Sequence, residues 1–436
     1  MRLTTRIAET IAPTRLGSAF RWLLSATIVN GIGDGVVLSA GPLLVASLTR
    51  DPFLVSLAVL SEYLPVLLFG LFGGVAADRF DRRRMVVVVN LGRSIVLLVL
   101  VFTIVTGVVS IAAVLISLFV LGTGEMLADS ATSTLLPSVV SRADLGLGNS
   151  RLQGAALLTN QLLLPPVGAY LFALGPAIPF ATNAICFALG AVLISRLGRD
   201  VRNARPARSN LRTETIEGLR WLWAHPPMRT LAITIFTFNV TYGAAWSVLV
   251  LYASDRLGMG PVGFGLLSTA VALGGVVGTL IYGRLERRFS LADIMRVGLL
   301  IETATHLILA ITTSPIVALG TLVVFGTHAF VWGTTSTVVR QRAVPDALLG
   351  RVGGAYRVAV VGGIVIGTPI GGLLARAYGI TAPFWFAFFG SAVLVILLWR
   401  QFAHIVAASA VGEPGDVSAP GDLAEPGETQ PSRSSG

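Results

Sequence analysis

The chain has 436 residues, 54% of them hydrophobic and only 12% charged, with a mean hydropathy of +0.80. So few charges could not cover the surface of a soluble protein of this length, which excludes a soluble enzyme or a nucleic-acid-binding protein. The net charge of +10 is therefore read against anionic lipid, and the single cysteine, Cys186, excludes a disulfide framework, a cysteine metal cluster and a redox pair.

The first segment, 1–20, is polar, interrupted by Pro13, and carries no pattern of a cleaved signal. Twelve apolar stretches follow, at 21–47, 54–77, 86–106, 111–133, 152–174, 178–196, 230–253, 262–283, 293–313, 315–337, 354–376 and 380–399. A helix rises ~1.5 Å per residue against a bilayer core of ~30 Å, so stretches of this length predict transmembrane helices. All 32 basic residues are arginine, and they gather on alternate connections. Clusters occur at the N-terminus, in the second-to-third loop (Arg79, Arg82, Arg83, Arg84), through the central connection, at Arg284, Arg287 and Arg288, and at Arg340, Arg342 and Arg351; the opposite loops hold only Arg50, Arg256 and Arg376. The positive-inside rule then puts both termini in the cytoplasm. Complete use of arginine in place of lysine points to a GC-rich bacterial genome, hence a multi-pass protein of the bacterial inner (plasma) membrane.

Segment 21–196 forms an N-terminal six-helix bundle and 230–401 a C-terminal one; 197–229 is a cytoplasmic linker and 402–436 a disordered tail of Gly, Pro, Ser and acidic residues. Within the linker, Ile216 to Trp223 predicts an amphipathic helix on the membrane surface, anchored by Trp221 and Trp223. The bundles align with each other. At an offset of 208, Arg21 meets Arg229, Gly35 meets Gly243 and Gly70 meets Gly278; at 203, Ser133 meets Ser336, Pro166 meets Pro369 and Gly168 meets Gly371. The expected fold class is all-α: twelve transmembrane helices in two pseudo-symmetric six-helix bundles, the layout of parallel-repeat secondary transporters. The absence of a Walker A loop removes a recognisable ATPase, and no metal or cofactor is expected.

The second-to-third loop reads Gly74-Val75-Ala76-Ala77-Asp78-Arg79-Phe80-Asp81-Arg82-Arg83-Arg84. It resembles the major facilitator superfamily pattern G-x-L-A-D-R-x-G-R-R at the position that superfamily requires, with Asp81 in place of a glycine. D-R-x-D-R-R is similar to the branch containing macrolide-efflux and enterobactin-export proteins. So are Arg340-Gln341-Arg342-Ala343-Val344-Pro345 through Arg351-Val352, and Gly122-Thr123-Gly124-Glu125-Met126-Leu127-Ala128-Asp129. The resemblance covers all twelve spans. It implies a gating loop of Gly74, Asp78, Arg79, Arg82 and Arg83, in which Asp78 pairs across the two halves and latches the outward-open state. The competing reading is that the arginines only set orientation. The fifth-span antiporter pattern survives as Pro165-Pro166-Val167-Gly168-Ala169, and a closer copy, Thr368-Pro369-Ile370-Gly371-Gly372, lies in span eleven.

Acids inside a bilayer are costly, ~2.5–3.5 kcal/mol for Asp at a helix centre, and usually face a partner or a wet cavity. Asp34 in span one and Glu62 in span two fall at a similar depth; facing each other, they would resist ionising together, as a proton carrier requires. Glu125 and Asp129 share one face of span four, and Arg93 of span three comes level with Glu125 as a possible structural ion pair. These four acids are the proton-coupling candidates; each also has a purely structural reading. The resemblance makes spans one, four, seven and ten cavity walls, so Asn239, Tyr242 and Trp246 of span seven and His328 and Trp332 of span ten become candidates for cargo contact, against ordinary helix packing. Glu302 and His306, four apart on span nine, suggest a peripheral pair.

The expected function is proton-coupled export of small amphipathic molecules by alternating access. The acid surplus favours neutral or cationic cargo over an anionic siderophore; import, lipid flipping and, least of all, a non-transporting receptor or scaffold stand as alternatives. Partners are then a small molecule, protons and membrane lipid, with no nucleic acid, and the chain is expected to act as a monomer. No helix carries a nucleophile–base spacing, so no enzyme activity is expected.

Overall fold

The computed structural model describes residues 13–198 and 211–410, without the side chains of Thr14, 71–79, 211–215 and 408–410. Among these residues it contains ten helices long and apolar enough to cross a membrane, and two bent pairs that bring the number to 12 if each is one span. Spans one to four are Gly17–Leu48, Pro52–Arg79, Arg82–Val105 and Ile111–Val139. Span five runs through Leu145–Ala156, a π-helical stretch Leu157–Leu163 and Leu164–Leu174; span six is Ile178–Ser195. A linker helix, Leu211–Ala224, precedes span seven, which is Pro226–Trp246 followed by a 41° bend into Leu249–Arg256. Spans eight to twelve are Pro261–Arg288, Leu291–Ile311, Pro315–Ala343, Leu349–Tyr378 and Ala382–Leu398.

Local chemistry sets these boundaries. Ser110, Ser290 and Ser314 cap spans four, nine and ten by accepting from backbone N–H groups three residues on. Prolines open spans seven, eight and ten, where a missing N–H costs nothing. Gly107 and Gly379 take φ of 73° and 93° in the turns after spans three and eleven, a region open to glycine. Span three shows how sequence sorts between lipid and protein. Val88, Leu91, Ile95, Leu98, Phe102 and Val105 form an exposed stripe, whereas Asn90, Arg93, Ser94, Leu97 and Leu100 are buried.

The internal repeat is present as packing. A Cβ added at Gly168 would come within 2.0 Å of the Val36 carbonyl oxygen, and one at Gly371 within 2.0 Å of that of Ala244. These are the same contact in the two halves, since Gly371 and Ala244 are the partners of Gly168 and Val36 at the offsets of 203 and 208. Small residues let spans one and five, and seven and eleven, approach backbone to backbone.

The core is distributed unevenly along the membrane normal. At the arginine-poor end one buried apolar cluster takes in residues of both halves, from Leu43 and Phe180 to Tyr252, Leu267 and Phe384. At the arginine-rich end each half has its own cluster, around Phe20 and Leu135 in the first and around Met295 and Phe402 in the second. Among the described residues, buried apolar packing therefore joins the halves at one end and stays within each half at the other.

Two segments differ from expectation. The linker helix, expected to lie on the membrane surface, is held by protein contacts: Gly218 packs against the Arg351 carbonyl, and Arg351 pairs with Glu217 at 2.8 Å. Ile216, Leu219 and Trp223 remain exposed along one side, while Trp221 stacks on His225 at 3.8 Å. The segment read as a disordered tail from 402 begins with a helix, Gln401–Ala410, turned 63° from span twelve. Its Phe402 and Ile405 are buried, with Phe402 edge-on to Trp332 at 5.7 Å, and that apolar pair is the reason it is held. Residues 411–436 lie outside the described residues.

Candidate functional site

Among the described residues two cavities lie between the halves, and another, within the second half, adjoins them. The first, about 410 Å³, is lined by Asp34, Glu62, Arg93 and Glu125 from the first half and by Tyr242, Trp246 and Ser268 from the second. Arg93 Nη2 lies 2.9 Å from Asp34 Oδ1 and 3.7 Å from Glu125 Oε2, and its guanidinium sits over the Phe187 ring at 3.9 Å. Equal depth brought Arg93 and Glu125 together in the sequence reading, yet the closer partner is Asp34. Asp34 and Glu62 share the cavity, and Asp34 accepts its hydrogen bond from Arg93. Three carboxyl groups against one guanidinium give this cavity its acid surplus.

Span five shapes the same cavity through a backbone irregularity. Pro165 and Pro166 have no N–H to donate to the preceding turn, and the turn before them is π-helical, which puts Asn160 and Gln161 on the cavity wall. The Pro165 carbonyl accepts from Ser39 at 2.7 Å, and that of Leu162 from Thr269 in the other half at 3.1 Å.

A second cavity of about 560 Å³ is aromatic, lined by Phe238, Asn239, Tyr242, Phe325, His328, Trp332 and Tyr356. Phe238 stacks on Trp332 at 6.0 Å and Tyr242 on Phe325 at 5.9 Å; Tyr242 also stacks on Trp246 at 4.5 Å. Asn239 donates to the Ile235 carbonyl at 2.7 Å. Tyr242 lines both this cavity and the acidic one, so the two share a wall. His328 is not the lone histidine the sequence presented: its Nε2 lies 3.1 Å from Glu302 Oε2, while His306 holds Glu302 Oε1 at 2.9 Å. Glu302 is fully buried between spans nine and ten, so the pair read as peripheral is interior.

The third cavity, about 620 Å³, lies toward the arginine-rich end and is lined by Asp129, Ser130, Asn149 and Gln153 from the first half and by Arg357 from the second. Asp129 and Arg357 are both exposed there, and Arg357 also borders the aromatic cavity. Arg357 is the residue the sequence reading missed. It lies at the start of span eleven, close enough to the arginine clusters to be taken for a topogenic charge.

The gating loop is seen in part. The side chains of Gly74, Asp78 and Arg79 lie outside the described residues. Arg82 donates to the Thr134 carbonyl at 3.2 Å and Arg83 to that of Ser195, so both hold ends of helices in their own half. Asp81 caps span three, accepting from the Arg84 N–H at 2.9 Å. That accounts for a carboxylate where the general pattern has glycine.

At the arginine-poor end the halves meet through polar and close-packed contacts. Arg50 pairs with Asp255 at 3.3 Å and Arg376 with Asp51 at 3.7 Å. Gly372 lies against Phe53 and Ser56, and Gly265 against Pro165 and Pro166. The three cavities thus adjoin one another, through Arg357 and then Tyr242, from the arginine-rich end inward, and the halves are packed together beyond them.

The profile of the transmembrane secretion effector family matches residues 8–415. Over 377 residues the chain is 29% identical to the multidrug efflux pump Tap of Mycolicibacterium fortuitum, covering 83% of this chain and 90% of that one. Over 394 residues it is 26% identical to the enterobactin exporter EntS of Escherichia coli O1:K1 / APEC, covering 87% and 91%. The crystal structure of the nucleoside transporter NupG has the same fold, with a TM-score of 0.71 at 13% identity over 89% of this chain and 99% of that one. With two six-helix halves, cavities between them and that family matched along nearly its whole length, this chain belongs to the transmembrane secretion effector family of the major facilitator superfamily of secondary transporters.

Proposed function

We propose that this transporter exports small amphipathic molecules, neutral or cationic, from the cytoplasm of a bacterial cell in exchange for protons. The observation that carries the reading is the acidic cavity, where Asp34, Glu62 and Glu125 surround Arg93 between the two halves. Acids in a membrane-embedded cavity mark ion pathways, and a surplus of two carboxyl groups over one guanidinium disfavours an anionic cargo. The adjoining aromatic cavity offers flat apolar faces with an amide at one side, the chemistry that holds an amphipathic ring system. The naming of similar proteins as a multidrug efflux pump and an enterobactin exporter supports outward transport; the acid surplus favours the drug-like cargo over the siderophore.

In this reading the arginine-rich end is cytoplasmic, both termini lie inside, and the protein works as a monomer in the plasma membrane. Cargo enters past Asp129 and Arg357 and settles against Tyr242. The halves then rock about the cavity, opening the arginine-poor end, and Asp34, Glu62 or Glu125 takes up a proton as cargo leaves. The test uses inverted vesicles with an acidified lumen and a panel of lipophilic cations, macrolides and siderophores. Cargo-evoked proton release, lost in Asp34→Asn or Glu125→Gln, is expected. Cargo uptake without any proton movement would remove the coupling, and a response to siderophores alone would reverse the cargo class.

A further inference from the structure

Both carboxylate oxygens of Glu302 are taken by imidazole nitrogens, His306 Nε2 at 2.9 Å and His328 Nε2 at 3.1 Å. The three side chains are among the most deeply buried polar groups of the second half, at 0–1% exposure. His306 is one turn along span nine from Glu302; His328 reaches across from span ten. In each ring the other nitrogen, Nδ1, has no hydrogen-bond partner. Each oxygen of Glu302 thus meets one imidazole nitrogen, and no group of described side chains has metal-binding geometry.

Charge counting defines what such a cluster must hold. With both imidazoles neutral and donating through Nε2, the trio carries a full negative charge inside the membrane. Among the described residues no arginine of the neighbouring helices pairs with Glu302; Arg229 of span seven and Arg284, Arg287 and Arg288 of span eight lie at the arginine-rich ends of their helices, away from the middle of span nine where Glu302 sits. Span twelve offers no ionisable side chain. Tyr242 of span seven is a phenol and offers no positive charge. On span nine, Arg296 is engaged by Asp293 and the Trp399 carbonyl. On span ten, Arg340 lies over the Tyr356 ring and Arg342 pairs with Glu286 of span eight. The C-terminal helix contributes only His404, which is exposed. An uncompensated buried charge is expensive, and one added proton, shared as imidazolium–carboxylate–imidazole, makes the cluster neutral.

We propose that Glu302, His306 and His328 together hold one exchangeable proton and form a second proton site, in the half opposite the Asp34–Arg93–Glu125 cluster. His328 gives the site its outlet. Its ring is edge-on to Phe238 and Phe325, each at 6.1 Å, and borders the aromatic cavity. Both nitrogens are buried, Nε2 on Glu302 and Nδ1 against Gly298, so the proton passes to cavity water and back only when the His328 ring turns. A cation lodged in that cavity repels the proton, which ties occupancy of one to loss of the other. This transport role rests on the proton-coupled reading above; the existence of the site does not.

The test is the ¹⁵N spectrum of histidine-labelled, full-length protein in lipid nanodiscs at neutral pH. The chain has only 4 histidines, and His306→Gln and His328→Gln assign the two rings. The expected result is imidazolium-type nitrogen shifts shared between His306 and His328 in the wild type and lost in Glu302→Gln. A melting curve for Glu302→Gln, a near-isosteric change, checks that the variant is folded. Two neutral rings in the wild type, or the same imidazolium signal in folded Glu302→Gln, would overturn the proposal. Because the spectrum needs no cargo, its outcome stands apart from the vesicle experiment: neutral rings beside coupled transport remove the second site and leave the exporter.

Discussion

Thr269 of span eight donates its hydroxyl to the Leu162 carbonyl of span five at 3.1 Å, joining the two halves inside the membrane. In a regular α-helix that carbonyl would accept from residue 166, which is proline and has no N–H. The break in span five thus frees an acceptor, and the other half satisfies it. Thr269→Val keeps the shape and leaves a carbonyl unpaired in the closed arrangement. A lost hydrogen bond of this kind is worth about 1 kcal/mol, or about fivefold in a two-state ratio. Spin labels at Leu174 and Val262, on opposite halves at the arginine-poor end, should show the separated population rise by about that factor. An unchanged distance distribution would mean the bond does not bias the two states.

The Arg50–Asp255 and Arg376–Asp51 pairs close the same end from the surface. They are solvent-exposed in good part, so each is worth only ~0–1 kcal/mol and is screened by salt. Asp51→Asn combined with Asp255→Asn should shift the same distance distribution toward separation at low ionic strength. The shift should vanish in ~1 M salt, where the Debye length is only about 3 Å. A shift that persists there would assign the effect to packing around Gly372 and Ser56 instead.

Arg93 is buried, with Asp34 at 2.9 Å and Glu125 at 3.7 Å. Removing one partner of a buried ion pair leaves an uncompensated charge and costs about 3–5 kcal/mol. Arg93→Met should therefore lower the melting temperature markedly. Adding Asp34→Asn to it should restore more stability than adding Glu125→Gln, because Asp34 is the closer partner and the more enclosed. Neither double variant should regain cargo-evoked proton release. Equal rescue by both would place Arg93 midway between the acids.

How far the sequence reveals this site follows from what helical counting can do. Counting ~1.5 Å per residue gives depth, so Asp34 is legible as level with Glu62, and Arg93 as level with Glu125; that the two pairs line one cavity is seen only in the structure. Depth says nothing about rotation of one helix against another, so the choice of Asp34 by Arg93 and the reach of His328 to Glu302 emerge only in three dimensions. The repeat is legible because close packing needs glycine at fixed places, as at Gly168 and Gly371. The capping role of Asp81 was available from the rule that Asp precedes a helix start. The helix Gln401–Ala410 was hidden by its bend and by the polar stretch after it.

Asp129 and Arg357 face the same cavity from opposite halves, both exposed, at the end where buried apolar packing stays within each half. Opposite charges so placed attract as the cavity narrows and lose water in the process, so they favour the arrangement in which this end is shut. Asp129→Asn or Arg357→Gln alone should slow cargo export several-fold, by about 1 kcal/mol in the balance of the two states. The exchange of the two, Asp129→Arg with Arg357→Asp, should recover most of that loss, since attraction across the gap depends on opposite sign and not on which half carries it. Asp129→Cys with Arg357→Cys supplies the geometric check. The two thiols should cross-link faster when the arginine-poor end is opened by Thr269→Val than in its absence. If the charge exchange fails to recover transport while the cross-link forms, Asp129 acts on the proton and not on closure, and belongs functionally with Glu125 one turn away.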